Sequence, residues 1–132
     1  MPLKLLKMVL RNLRVASYNC RGLQLLRGST SVTNFLVTSI LENSDLVFLQ
    51  EIFCYKQDMP LLNSFHSDFH GIGETVLSTS DGPHTGRPKG GVAILWRKSI
   101  ESIITELKFD LDWAVGVQLS SNSTCFISYK NT

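Results

Sequence analysis

Charge is sparse in this 132-residue chain: Asp, Glu, Lys and Arg make up 18% of it, against roughly 25% in ordinary soluble domains. That scarcity favours buried strands over exposed helices. Long apolar runs are missing too. The longest, residues 92–96, has five residues, far short of the roughly 18 needed to span a bilayer, so no membrane partner is expected. Cysteine is scarce and odd in number: Cys20, Cys54 and Cys125, with no C-x-x-C spacing. A disulfide framework or zinc knuckle is excluded on that ground, and a reducing, intracellular location, cytoplasmic or nuclear, is expected. The sequence also lacks internal repeats, a Gly-x-x-x-x-Gly-Lys-Ser/Thr phosphate loop, and an apolar leader with a small-residue cleavage site. Without secretion, the sequon at Asn122-Ser123-Thr124 is expected to carry no glycan.

What is present is 43% hydrophobic and 9% aromatic residues, enough to build a core at a length of about one domain or less. The net charge of +2 is unevenly spread. Residues 1–27 carry six cations and no acid, while the rest of the chain carries seven cations and eleven acids. A basic leader over residues 1–12 can attract phosphate or simply form a solvated N-terminus; both readings stand.

Residues 13–18 alternate and are β-prone, stopping at Asn19-Cys20-Arg21-Gly22. That pattern predicts a strand delivering polar residues to its C-terminal end. Val32, Phe35, Leu36 and Ile40 recur at helical spacing and predict a short amphipathic helix over residues 32–41. Residues 45–49 then form a short apolar run that predicts a strand covered on both faces, ending abruptly in Gln50-Glu51. Residues 54–89 are loop-rich. Further strands are predicted at residues 90–96, 100–107, 113–119 and 124–129. The order is a strand, one helix, a buried strand, then a series of strands, which is an α/β (α+β sandwich) layer rather than a bundle.

Two residues invite chemistry. Asn19 and Glu51 each follow a β-prone segment, at the point where a strand empties towards solvent, and ligands of open sheets gather beyond strand ends. A carboxylate beside an amide oxygen is a hard-oxygen pair suited to Mg2+, which keeps several waters and needs only one or two protein carboxylates. The plainer reading is a turn asparagine and a first-turn acid. His66 and His70, at i and i+4, would share a helix face for zinc, but no third ligand is evident and Phe65 and Phe69 point to packing. Trp96 and Trp113 read as core or sheet-face residues, and Cys20 as a small strand-end residue.

The words around these positions sharpen the reading. Ser17-Tyr18-Asn19-Cys20-Arg21-Gly22-Leu23, followed by Asp45-Leu46-Val47-Phe48-Leu49-Gln50-Glu51, resembles the opening of the endonuclease/exonuclease/phosphatase superfamily. Gly86-Arg87-Pro88-Lys89-Gly90-Gly91-Val92-Ala93-Ile94-Leu95-Trp96 resembles, more narrowly, the apurinic-type endonuclease domain of non-LTR (LINE-type) retrotransposons. The resemblance runs from Leu13 onward. It implies two β-sheets flanked by helices and a metal-dependent phosphodiesterase acting on DNA. Matched residue by residue, Glu51 becomes a Mg2+ ligand and Asn19 a residue arranging the metal and the attacked phosphate. Arg21 would face phosphate. Independently of the resemblance, the loop Gly86-Arg87-Pro88-Lys89-Gly90-Gly91 has flexible glycines and two cations, Arg87 and Lys89. These suit riding on a DNA backbone or equally a polar connection entering a strand; both readings stand. Tyr129 stands where the family has a strand-end tyrosine, although Tyr129-Lys130-Asn131-Thr132 lacks the family's proline.

Two family motifs do not occur in the 132 residues: an Asp-x-Asn segment and a later Ser-Asp-His. Residues 13–132 are therefore expected to form the first half of such a domain, inactive alone. Sheet strands lacking their cover would give an exposed apolar face and self-association. The alternatives are a non-catalytic nucleic-acid-binding remnant and a fragment of a lipid or inositol phosphate phosphodiesterase.

Overall fold

The computed structural model describes residues 12–25, 31–76, 90–111, 113–120 and 123–128. The basic leader up to residue 11, the loop holding Arg87 and Lys89, and Tyr129 lie outside them. The strands are β1 (Val15–Asn19), β2 (Leu46–Gln50), β3 (Phe69–Glu74), β4 (Val92–Arg97), β5 (Ile104–Leu107), β6 (Ala114–Leu119) and β7 (Ser123–Ser128), with one α-helix, α1 (Val32–Glu42). They form a four-stranded sheet ordered β1-β2-β4-β3 and a three-stranded sheet ordered β5-β6-β7. This is the mixed α/β, two-sheet architecture expected from the sequence. Among the described residues no helix is long and apolar enough to cross a membrane.

β1 and β2 run parallel, joined by the crossover through α1, and β4 lies antiparallel to both β2 and β3. Alternation along the strands divides the core. Val47, Leu49, Ala93 and Leu95 face one side, where they pack with Val37 and Leu41 of α1, with Leu62, and with Phe69 of β3. Leu46, Val92, Ile94 and Trp96 face the other side and meet Val115, Val117 and Leu119 of β6. β2 and β4 are thus covered on both faces, which explains their near-continuous apolar sequence.

β5-β6-β7 packs over β2 and β4, and among the described residues of the first sheet's strands those left exposed are Val15, Ser17 and Asn19, all on β1.

The helix lies where its periodicity placed it, but it buries a different face. Val32 and Phe35 are 75% and 74% exposed, whereas Val37 and Leu41 are fully buried. Asn34 sets the rotation: its Oδ1 accepts from the Gln24 N–H (3.0 Å) and its Nδ2 donates to the Gln24 carbonyl (2.6 Å). With Asn34 tied to the loop after β1, the positions three and seven residues on turn inward. Ser31 caps the start, its Oγ accepting from the Asn34 N–H at 3.0 Å.

One predicted stretch also changes type. Residues 100–103, expected as strand, belong to a 3₁₀ helix (Lys98–Ile103), and extended structure begins only at Ile104. Three residues per turn put Ile100 and Ile103 on one face, and both are buried. His66 and His70 share no helix. His66 sits in the turn before β3 with its Nε2 3.9 Å from Glu42, and His70 lies within β3, 3.6 Å from Glu101. The edge of the His66 ring meets Phe69, with centroids 5.3 Å apart. Packing, rather than a shared metal, accounts for the pair. Trp96 is a core residue, as expected, and its indole N–H donates to Glu101.

Candidate active site at the strand ends

The parallel register pairs Val15 with Leu46 and runs to Asn19 opposite Gln50. Both strands therefore end on the same rung, with neighbouring backbones about 4.8 Å apart, and Glu51 lies one residue beyond. The two residues singled out by sequence are brought together. Strand-end topology achieves this even though 31 residues separate them. A side-chain bond reinforces the last rungs, Gln50 Nε2 donating to Ser17 Oγ at 2.9 Å.

Pairing does not stop where the regular strands do. The Cys20 N–H donates to the Gln50 carbonyl (2.8 Å), Gly22 to Glu51 (2.9 Å) and Leu23 to Ile52 (2.9 Å). On the other flank Ile52 donates to Gly91 (3.3 Å) and Phe53 to Gly90 (2.9 Å). Glu51 is thus held in a turn laced on both sides, between the loop after β1 and the Gly-Gly segment that leads into β4.

This lacing demands unusual backbone. Arg21, Glu51 and Phe53 adopt φ values of 48°, 50° and 55°, and Gly22, Gly90 and Gly91 lie at 115°, 78° and 88°. Among the described residues a fourth non-glycine, Ser120, has positive φ, and it belongs to the β6–β7 turn. Each left-handed non-glycine costs on the order of 1–3 kcal/mol, and such outliers gather at functional sites. Asn19 initiates the first of these turns: its Oδ1 accepts from the Arg21 N–H at 3.2 Å.

Asn19 and Arg21 are exposed and Glu51 is half-buried. An amide oxygen carries two lone pairs, so the bond from Arg21 leaves Asn19 Oδ1 able to face a cation. A carboxylate and an amide oxygen are hard donors of the kind that hold a divalent cation with water and phosphate as its other ligands; among the described residues no cluster of three or more His, Cys, Asp or Glu side chains is formed.

Beneath the turn lie Cys20 and Cys54, 3% and 5% exposed. Burial pushes both thiols up to about 12, and the Cys54 sulfur is within 3.3 Å of the Leu23 and Ile52 carbonyls. A thiol so far from ionising is no nucleophile, so Cys20 is the small strand-end residue its context implied. His70 stands at the opposite end of the sheet, in register with Trp96, which itself pairs with Leu46, the first residue of β2.

Sequence reasoning named Asn19, Arg21 and Glu51. It singled out Gly90-Gly91 as flexible loop glycines but not as the backbone that accepts from Ile52 and Phe53, and it missed Phe53; nothing in the residue type announces a phenylalanine at positive φ.

The sequence model of the Endonuclease/Exonuclease/phosphatase family matches residues 16–123. Comparison with curated proteins finds no match.

Proposed function

The chain belongs to the endonuclease/exonuclease/phosphatase family, and we propose that Asn19 and Glu51 form the metal-holding part of a site for cleaving DNA phosphodiesters, of the kind used by non-LTR retrotransposon endonucleases. The observation that supports the reading is the shared last rung of β1 and β2, which sets Asn19 beside Gln50, the residue before Glu51, on neighbouring backbones at one sheet end.

In this reading Glu51 and Asn19 hold Mg2+ by their oxygens. The metal would neutralise charge on the phosphoryl oxygens of an in-line displacement. Asn19 keeps its amide N–H groups for a phosphate oxygen while its Oδ1 faces the metal. Arg21, exposed and permanently charged, offers a planar fork that matches phosphate. The left-handed backbone at Arg21 and Glu51 fixes where both side chains leave the main chain; in this reading that supplies part of the preorganisation electrostatic stabilisation requires. On the sequence alone, Arg87 and Lys89 would contact the DNA backbone, and on the resemblance Tyr129 would act with Asn19 and Glu51.

In-line attack also needs a positioned, activated water, and the 132 residues hold no Asp-x-Asn followed by Ser-Asp-His. The chain by itself is therefore proposed to bind metal and DNA without efficient nicking. That same observation favours a second reading, a nucleic-acid-binding module without catalysis.

Mn2+ binding followed by electron paramagnetic resonance, together with nicking of supercoiled plasmid in Mg2+, tests the proposal. Glu51→Gln should weaken Mn2+ binding about tenfold or more while the chain nicks little. Unchanged Mn2+ affinity would sink the metal assignment, and robust nicking lost in Glu51→Gln would overturn the incomplete-site reading. DNA affinity that survives Glu51→Gln but falls when Lys4, Lys7 and Arg11 are neutralised would favour the binding module. Arg14 is left out of that set because it is paired with Asp45 at 3.2 Å.

A further inference from the structure

β1 is the outer strand of its sheet, and among the described strands β2 is its one hydrogen-bonded neighbour. Its last rungs depend on β2 to hold Asn19 in place, and strand termini are where local opening costs least. Gln50 concentrates that hold. Its carbonyl accepts from the Cys20 N–H at 2.8 Å, and its Nε2 donates to Ser17 Oγ at 2.9 Å and lies 3.4 Å from the Phe48 carbonyl. Ser17 is two residues before Asn19 and Cys20 is one after it. A single residue of β2 thus grips β1 on both sides of Asn19. Gln50 also stands opposite Asn19 in the register and directly precedes Glu51, whose φ is 50°. Ser17 is exposed and Gln50 half-buried, so water would serve both side chains if they parted. The net worth of such a bond to stability is small; its geometric consequence is not.

We propose that Gln50 is a positioning residue for the metal site, its side-chain clasp on Ser17 fixing how closely Asn19 approaches the Glu51 turn. The inference rests on the metal-site reading above. Gln50 touches neither metal nor phosphate in this scheme; it acts through Asn19 and Glu51. Mg2+ demands near-ideal octahedral geometry, and a binding constellation must be held within about 0.5 Å of it. Ligands carried by two different strands meet that demand only if the strands keep their spacing at the last rung. A backbone bond at the end of an outer strand opens readily, whereas a side chain that also reaches back to Ser17 ties the end to the rungs behind it.

The test uses the full chain and two measurements: Mn2+ affinity of the folded fraction by electron paramagnetic resonance, and hydrogen exchange of the Cys20 amide in the metal-free protein. Ser17→Ala and Gln50→Ala each remove the clasp and leave the backbone rung. Each should weaken Mn2+ binding about tenfold and hasten exchange at Cys20, with a melting temperature close to native. The double variant should bind no more weakly than either single one, because both lose the same bond. Ser17→Thr keeps the hydroxyl and should bind Mn2+ as the native chain does. Native Mn2+ affinity in either alanine variant would overturn the proposal, and so would additive losses in the double variant. A lower melting temperature with undiminished Mn2+ affinity would mark the bond as structural only. Unaltered exchange at Cys20 would show that the clasp does not hold the rung. If the native chain binds no Mn2+, the metal-site reading falls and this inference with it. Native binding that the Ser17 and Gln50 variants leave unchanged sinks the inference alone.

Discussion

A Cβ placed on Gly91 would stand 2.8 Å from Cγ1 of Ile52. Ile52 is fully buried and directly follows Glu51, so the space left by this glycine fixes how closely the β4 segment approaches the carboxylate's turn. Gly91 also lies at φ 88°, where L side chains are strained. Gly91→Ala is expected to cost on the order of 2–4 kcal/mol from conformation and overpacking together. Urea unfolding measures this. Because Ile52 must shift, Mn2+ affinity should fall in the same variant even at temperatures where it is folded.

At the other end of the sheet Arg97 acts as a clamp. Its Nη2 donates to the carbonyls of Leu41 (2.9 Å) and Ser44 (2.7 Å), its Nε lies 3.3 Å from Asp45, and its guanidinium stacks 4.7 Å from the Phe69 ring centroid. It closes the open carbonyls at the end of α1. Arg97→Ala strands those acceptors and should destabilise by about 2–4 kcal/mol. Arg97→Lys should recover only a minor part, since a point charge cannot serve so many acceptors in one plane. Metal affinity at the distant strand ends should be unchanged in the folded fraction.

Asp45 links this clamp to pH. Burial alone would raise its carboxyl, but hydrogen bonds from the Arg14 side chain and backbone, with the charges of Arg14 and Arg97, hold it below the ordinary value of 3.8. A carboxyl whose folded value is depressed contributes stability that is complete above its unfolded value and is lost as pH falls through the folded one. Stability should therefore decline below about pH 4. The acid limb should be flatter in Asp45→Asn, measured by urea midpoints across that range.

The two buried thiols set an opposite, alkaline limit. Cys20 and Cys54 are raised from 9.0 to about 12, so the unfolded chain releases their protons first and the fold loses stability as pH climbs from 9.0 towards 12. At neutral pH both should resist dithionitrobenzoate in the native protein and react once it is unfolded. Rapid reaction of Cys20 in the native state would contradict the burial described.

Local pattern carried a good deal of this molecule. Alternation marked β1, a continuous apolar run marked β2 and β4, and the i, i+3, i+4 spacing marked α1, because backbone periodicity is a property of neighbouring residues. The helix face escaped, since Asn34 chooses it through a bond to Gln24, ten residues away in a separate loop. The 3₁₀ segment at Lys98–Ile103 escaped because Ile100 and Ile103 suit a three-residue turn as well as a strand. Asn19 and Glu51 were legible as polar residues closing apolar segments.

Sequence by itself determined which residues could serve: the hard-oxygen pair, the cation beside it, the glycines before β4, and too little charge for an exposed helical protein. Tertiary structure alone decided that β1 and β2 end on the same rung, that β5-β6-β7 covers β2 and β4 but leaves β1 open, and that Glu51 and Phe53 are held in left-handed turns. The physical reason is that registers, sheet packing and backbone strain arise from hydrogen bonds between distant segments. No local propensity places Gly90 beside Phe53 or Gly22 beside Glu51 until the chain has folded.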